Sequence, residues 1–294
     1  MSGNFRGAAL MVAGMAGFAV EDMLLKRAAL QVPVGAILVI FGSLGTLWFA
    51  ILSLARGDRL VSRDLFHPVV GLKALAEIGG RMFFTLALAM APLSTVSALL
   101  QASPLVVVAG AALFFGEKVG WRRWTAIGVG FLGVLIVLRP GVDLSLGALA
   151  ALAGMLGFAL RDLATRAAPK SLSNMVLGVY GFLALVPTGA LLLAFGGPAA
   201  WPEGPALGLI ATASVVGAAA YYALTAAMRL GEVAVVTPFR YTRLVFALIL
   251  AALVFAERPD ALTLIGSAVI VGSGVYTLLR SRRETQRAAA QGDG

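Results

Sequence analysis

The chain has no cysteine, one histidine (His67) and few charges, Asp, Glu, Lys and Arg making up 13% of its 294 residues. Without thiols there is no disulfide and no thiolate metal site, and one imidazole leaves little for metal chemistry. The phosphate-cradling pattern G-x-x-x-x-G-K-[ST] is absent, as are zinc motifs and a G-x-S-x-G elbow, so ATP-driven pumping would need a separate subunit. No metal, cofactor, catalytic residue or enzymatic activity is expected. The net charge of +9 is read as loop topology, and no nucleic-acid partner is expected.

What the chain has is apolar length. Hydrophobic residues make up 60% of it, well above an ordinary soluble domain, which makes it a membrane protein with the lipid bilayer as its surroundings. Ten segments of spanning length fall at about 6–27, 33–55, 68–90, 93–115, 121–139, 145–166, 174–196, 205–228, 233–255 and 261–279. The fold class is all-α, with ten transmembrane helices.

The segments repeat. GMAGFA at Gly14 to Ala19 returns as GMLGFA at Gly154 to Ala159, and ALFFGE at Ala112 to Glu117 returns as ALVFAE at Ala252 to Glu257, both offset by 140 residues. The division is a first five-helix copy over 1–140, a second over 141–280 and a polar tail over 281–294 read as disordered. The recurrence in mid-chain also argues against the first apolar run being a signal peptide. Five spans per copy is an odd number, so the second copy is inverted relative to the first, an arrangement common in secondary transporters. With the N-terminus inside, fourteen Lys and Arg fall in inner loops and tails and four (Lys26, Arg27, Arg139, Arg258) in outer loops, so both termini are expected in the cytoplasm.

Ionisable residues within spans are costly, about 2.5–3.5 kcal/mol each at a helix centre on insertion scales, and so mark candidate sites. Glu77 and Arg81 lie one turn apart on the third span, as do Asp22 and Lys26 on the first and Asp162 and Arg166 on the sixth. Each set reads either as a structural or gating pair or as part of a substrate site. Arg240 and Arg243 have no acidic residue on their own span, so their counterion is an acid from another helix, such as Glu77 or Asp162, or an anionic group of a substrate. Gln101 lies midway through the fourth span, and Phe83 and Tyr222 are candidate apolar walls. Trp48, Trp121, Trp124 and Trp201 sit near span ends, as interfacial residues do. Gly128, Gly130 and Gly133 spell G-x-G-x-x-G inside an apolar span, where close helix packing explains them.

Ten spans, an inverted duplication, and SPLVVVAGAALFFGE at Ser103 to Glu117 beside RLVFALILAALVFAE at Arg243 to Glu257 resemble the EamA family of the drug/metabolite transporter superfamily. The chain looks most like the YddG-type amino-acid exporters of bacterial inner membranes. That resemblance implies aromatic or other hydrophobic amino acids moving outward. In the second copy Arg243 and Leu244 stand where the first has Ser103 and Pro104, so the fourth and ninth helices are expected to bend differently.

The resulting expectation is a monomeric exporter working by alternating access around a central cavity. Arg240 or Arg243 would hold a carboxylate, Glu77 or Gln101 an ammonium group, and Phe83 with Tyr222 an apolar side chain. The rival readings are an exporter of drugs or other small metabolites and, remotely, a membrane-embedded enzyme acting on lipid. Proton antiport and facilitated diffusion both remain open, since Asp22, Glu77 and Asp162 each have a cation at helical spacing.

Overall fold

The structure, a computed structural model, describes residues 3–116, 119–139, 145–169, 171–195, 202–230 and 237–292. Among them the chain is helical throughout: α1 (Gly3–Ala29), α2 (Val34–Ala55), α3 (Pro68–Met90), α4 (Leu93–Leu100), α5 (Ser103–Phe115), α6 (Trp121–Leu138), α7 (Leu146–Ala167), α8 (Asn174–Leu183), α9 (Leu185–Phe195), α10 (Gly204–Leu230), α11 (Thr242–Phe255) and α12 (Ala261–Gly292). Short 3-10 turns cover Arg63–Phe66 and Thr237–Tyr241. Taking α4 with α5, α8 with α9, and the second turn with α11, these form ten consecutive segments. Among the described residues six stretches are long and apolar enough to cross a membrane, and two shorter apolar helices cover Trp124–Leu138 and Ala261–Thr277. The segment around α3 carries Lys73, Glu77 and Arg81 in its middle. The last helix continues to Gly292, where the sequence reading placed a disordered tail.

Local signals explain the ends. Ser145 and Ser173 accept hydrogen bonds from the amides of Ala148 and Val176, capping α7 and α8, and Pro68 opens α3, where a missing N–H costs nothing. The fourth and ninth segments break at the same repeat position. Gln101 and Ala102 separate α4 from α5, and Tyr241, 140 residues after Gln101, is the N-cap of α11. The two were expected to bend differently, yet Pro104 after one break and Pro238 before the other both remove a backbone donor near it. The helices that follow also end alike: Gly116 (φ +66°) and Ala256 (φ +52°) are left-handed C-caps whose amides bond to Ala111 and Ala251.

Packing obeys the same offset. The most extensive pairings are α3 with α7 and α1 with α10, which the repeat exchanges for one another. A Cβ built on Gly14 would stand 3.3 Å from the Leu224 amide nitrogen, and one on Gly154 2.8 Å from that of Phe84. Built on Gly17 it would stand 2.9 Å from the Ala220 Cβ, and on Gly157 2.5 Å from the Gly80 Cα. Residues 84 and 224, and 80 and 220, are each 140 apart. Other pairings join equivalent helices: α2 with α8 and α9, α4 with α11, and α6 with α12. In the last of these Gly133 lies against Gly266 and Ile270 while Gly130 lies against Ser273, so the two run antiparallel. Gly35 against Gly189 and Leu193, with Gly42 against Phe182 and Leu185, gives the same direction for α2. Equivalent helices therefore run in opposite senses, and the copies are inverted. Gly130 and Gly133 serve close packing, whereas Gly128 faces open space.

Candidate functional site

Two ion-pair layers lie along α3, where Arg81 and Glu77 are one turn, about 6 Å, apart. In the first layer α1 contributes Glu21 and Asp22, α3 contributes Arg81 and α11 contributes Arg243. Arg81 Nη1 donates to Glu21 Oε1 at 2.9 Å, with both side chains buried. Its guanidinium stands 4.8, 5.7 and 5.8 Å from the ring centres of Phe41, Phe158 and Phe182, a placement favourable for a cation. Arg243 donates to Asp22 Oδ2 from Nε at 3.1 Å and from Nη2 at 2.6 Å, and lies 5.2 Å from the Phe18 ring. Asp22 is fully covered, whereas the Arg243 side chain is 19% exposed. Oδ1 of Asp22 is buried without a hydrogen-bond partner among the described residues.

The second layer joins α3 to α7. Glu77 lies 3.6 Å from Lys73 on its own helix and 3.3 Å from Arg161, whose guanidinium also donates to Asp162 Oδ1 at 3.0 and 2.8 Å. Lys73 donates to the Leu177 carbonyl, and Arg161 lies over the Phe158 ring. Tyr221 of α10 lies in the field of this layer. Among the described residues the two layers hold four acids (Glu21, Asp22, Glu77, Asp162) against four bases (Lys73, Arg81, Arg161, Arg243). They are self-neutralising, which is what makes so many charges tolerable between spanning helices.

A third ionic group closes one end of the bundle. Glu257 accepts from the amides of Leu93 and Ser94 and from Ser94 Oγ, at 2.7, 3.0 and 2.9 Å. Lys26 donates to the carbonyls of Leu88 and Ala91 and lies 3.7 Å from Glu257. Together they satisfy both helix ends at the α3–α4 turn, the carboxylate at an N-terminus and the ammonium at a C-terminus, and tie α1 and α11 to that turn. A cavity of about 340 Å³ lies beside this group, lined by Ser94, Thr95, Arg139, Glu257 and Asp260 among others. Asp260 caps α12, and hydrogen bonds from Thr263 and then Arg139 pull its carboxyl down to about 2. The cap therefore persists until pH falls through that value.

These partners correct the helical pairings expected from spacing. Glu77 pairs with Lys73 and Arg161 rather than Arg81, and Arg81 with Glu21. Asp22 pairs with Arg243 rather than Lys26, which goes to Glu257. Asp162 bonds to Arg161, while its expected pairing with Arg166 is not tested. The Arg166 side chain and Glu117 lie outside the described residues. Neither Glu77 nor Asp162 is the acid that meets Arg243. Arg240, on the second 3-10 turn, has no ion pair among the described residues. Gln101 is buried at the α4–α5 break, and no side-chain hydrogen bond joins it to either layer among the described residues. Phe83 is on the exposed stripe of α3 with Leu72, Leu75 and Met90. Tyr222 is likewise exposed, with the Arg56 guanidinium 5.4 Å from its ring. Glu21, Lys73 and Arg161 were not singled out from the sequence. One signal was available, because Arg161 stands 140 residues after Glu21 with the opposite charge.

Comparison with known proteins decides the family. A model of the EamA-like transporter family matches residues 5–139 and again 145–279. The chain belongs to the EamA-like transporter family. A riboflavin transporter of Rhizobium johnstonii is 31% identical over 204 residues, covering 69% of this chain and 67% of that protein. An S-adenosylmethionine uptake transporter of Rickettsia felis is 26% identical, covering 77% and 76% of the two chains. A pseudopaline exporter of Pseudomonas aeruginosa is 28% identical, covering 90% and 93%. One crystal structure aligns with a TM-score of 0.65 at 21% identity, over 94% of this chain and 99% of the other, a likeness of fold alone. The chain is thus a multi-pass membrane transporter of a bacterial family. The narrower resemblance to YddG-type amino-acid exporters gives way to this broader one, because these relatives carry other solutes.

Proposed function

We propose that the protein is a secondary or facilitative transporter that exports small zwitterionic metabolites, aromatic or hydrophobic amino acids among them, across the bacterial inner membrane by alternating access. Both termini lie in the cytoplasm. The observation that carries this reading is the Asp22–Arg243 pair beside Phe18, with one carboxylate oxygen unpartnered. A zwitterion offers the same two charges: its carboxylate takes the planar guanidinium, its ammonium group takes Asp22, and its apolar part lies against Phe18. This moves the acceptor from Glu77 or Gln101 to Asp22, because Glu77 already has two cations.

A second reading, transport of a larger planar metabolite, is favoured by the 31% identity to a riboflavin transporter and by layers that leave no net charge for a substrate to neutralise. Initial uptake into liposomes, measured for an amino-acid panel, riboflavin and S-adenosylmethionine in parallel, separates the two. Flux of L-phenylalanine or a similar amino acid that saturates and is inhibited by its analogues supports the first reading. Flux of riboflavin alone replaces it with the second.

A further inference from the structure

We propose that the unpartnered oxygen of Asp22 is a shared site for a proton and for the cationic group of the transported solute, so that the two exchange across the membrane. The inference rests on the transport reading above and adds a driving force to it. Oδ2 of Asp22 already accepts both bonds from Arg243, while Oδ1 is covered by protein and accepts none among the described residues. A buried acceptor without a donor is unfavourable, and either a proton on Oδ1 or an ammonium group donating to it relieves that state. A proton on Oδ1 removes the negative charge that holds an ammonium group there, so proton and solute compete.

The surroundings leave this oxygen to its visitors. On α1, Glu21 is committed to Arg81 of α3, and Lys26 is committed to Glu257 and to carbonyls of the α3–α4 turn. Arg243 of α11 holds the other oxygen, and Arg240 and Tyr241 lie on the preceding turn. The sequences of α2 and α4 hold no titratable residue. On α10, Tyr221 lies with the second layer, and Tyr222 is exposed beside Arg56. Lys26, the cation at helical spacing that would have disfavoured protonation of Asp22, is turned away.

The exchange balances simply. An O–H bond forms on Oδ1 with a proton from water on one side and breaks to water on the other, and no bond of the solute changes. With a zwitterion bound, Asp22 and Arg243 add no net charge; with a proton bound, they carry one positive charge on the return. One proton enters for each zwitterion exported, and a membrane potential negative inside assists.

Two measurements decide it. The first is an infrared pH titration of the reconstituted protein without solute. A protonated-carboxyl band that appears on acidification, is missing in Asp22→Asn and is shifted in Asp22→Glu is expected; no band depending on residue 22 overturns the proposal. The second is efflux of L-phenylalanine from loaded liposomes with and without an acidic exterior. The gradient should accelerate efflux severalfold in the parent and not in Asp22→Asn, with part of the effect kept in Asp22→Glu. Equal efflux with and without the gradient in the parent, or acceleration retained in Asp22→Asn, overturns the proposal while leaving transport intact. No movement of L-phenylalanine or any other panel solute sinks the transport reading instead, and the infrared titration still decides the proton site.

Discussion

The two copies of the repeat agree where backbones touch and differ where charges sit. Gly14 and Gly154, Gly17 and Gly157, and the left-handed caps at Gly116 and Ala256 occupy equivalent places with equivalent neighbours. At the ion-pair layers only Asp22 and Asp162 match; Glu21 faces Arg161, Arg81 faces Tyr221, Glu77 faces Gly217 and Arg243 faces Ser103 across the repeat. The contacts nevertheless correspond. A Cβ on Gly217 would stand 2.6 Å from Glu21 Oε2, so on one side a glutamate of α1 lies over a bare position of α10. On the other side a glutamate of α3 reaches an arginine of α7. Packing between helices is fixed by shape and tolerates little change, so duplication preserves it. A solute with unlike ends gains nothing from a symmetric site, so the charged positions are free to diverge, and both layers draw side chains from the two copies.

The comparison can be broken most strongly at its buried charges. Arg81→Gln leaves Glu21 without its partner and should destabilise the protein by about 3–5 kcal/mol. Glu21→Gln with Arg81→Gln should regain most of that, and thermal unfolding in detergent compares them. The packing symmetry sharpens next. Gly157→Ala drives a methyl against the Gly80 backbone, Gly17→Ala only against the Ala220 methyl. The first should cost near the top, and the second near the bottom, of the roughly 1–3 kcal/mol range for overpacking. Glu257→Gln weakens the group that closes one end. Since the chain has no native cysteine, a single Thr95→Cys in the adjacent cavity reports this directly: maleimide labelling should quicken several-fold when Glu257→Gln is added. The smallest effect is at the cap, where Ala256→Gly relieves a left-handed alanine and should raise stability by about 1 kcal/mol, measured against the equivalent Gly116→Ala, which should lower it by a similar amount.

Much of this frame was legible in the sequence because it is written in apolar length and in a fixed offset. The ten segments, the duplication and its inversion follow from counting. The partners of the charged residues do not. Spacing of four residues shows that Glu77 and Arg81 share a face, yet Glu21 and Arg161 on neighbouring helices stand nearer to them than they do to each other, and a bilayer segment carries no mark of which helix lies alongside. Phe83 and Tyr222 illustrate a second limit. A spanning helix is apolar towards lipid and towards protein alike, so aromaticity alone does not say which way a ring faces. Trp48, read as an interfacial residue, donates to Ser214 Oγ at 3.3 Å and so links α2 to α10, a contact that its place near a span end does not reveal.

The most direct test sets the two layers against each other by measuring tracer flux per correctly folded, reconstituted molecule for Arg243→Ala and Arg161→Ala. If the first layer holds the solute and the second holds the helices together, Arg243→Ala loses folded yield because it leaves Asp22 buried without its partner, the molecules that do fold lose most of their flux, and Arg243→Lys regains only part. Arg161→Ala loses folded yield, while the molecules that do fold keep most of theirs. Full flux in Arg243→Ala, with flux lost in well-folded Arg161→Ala, would place the solute at the second layer and contradict the assignment.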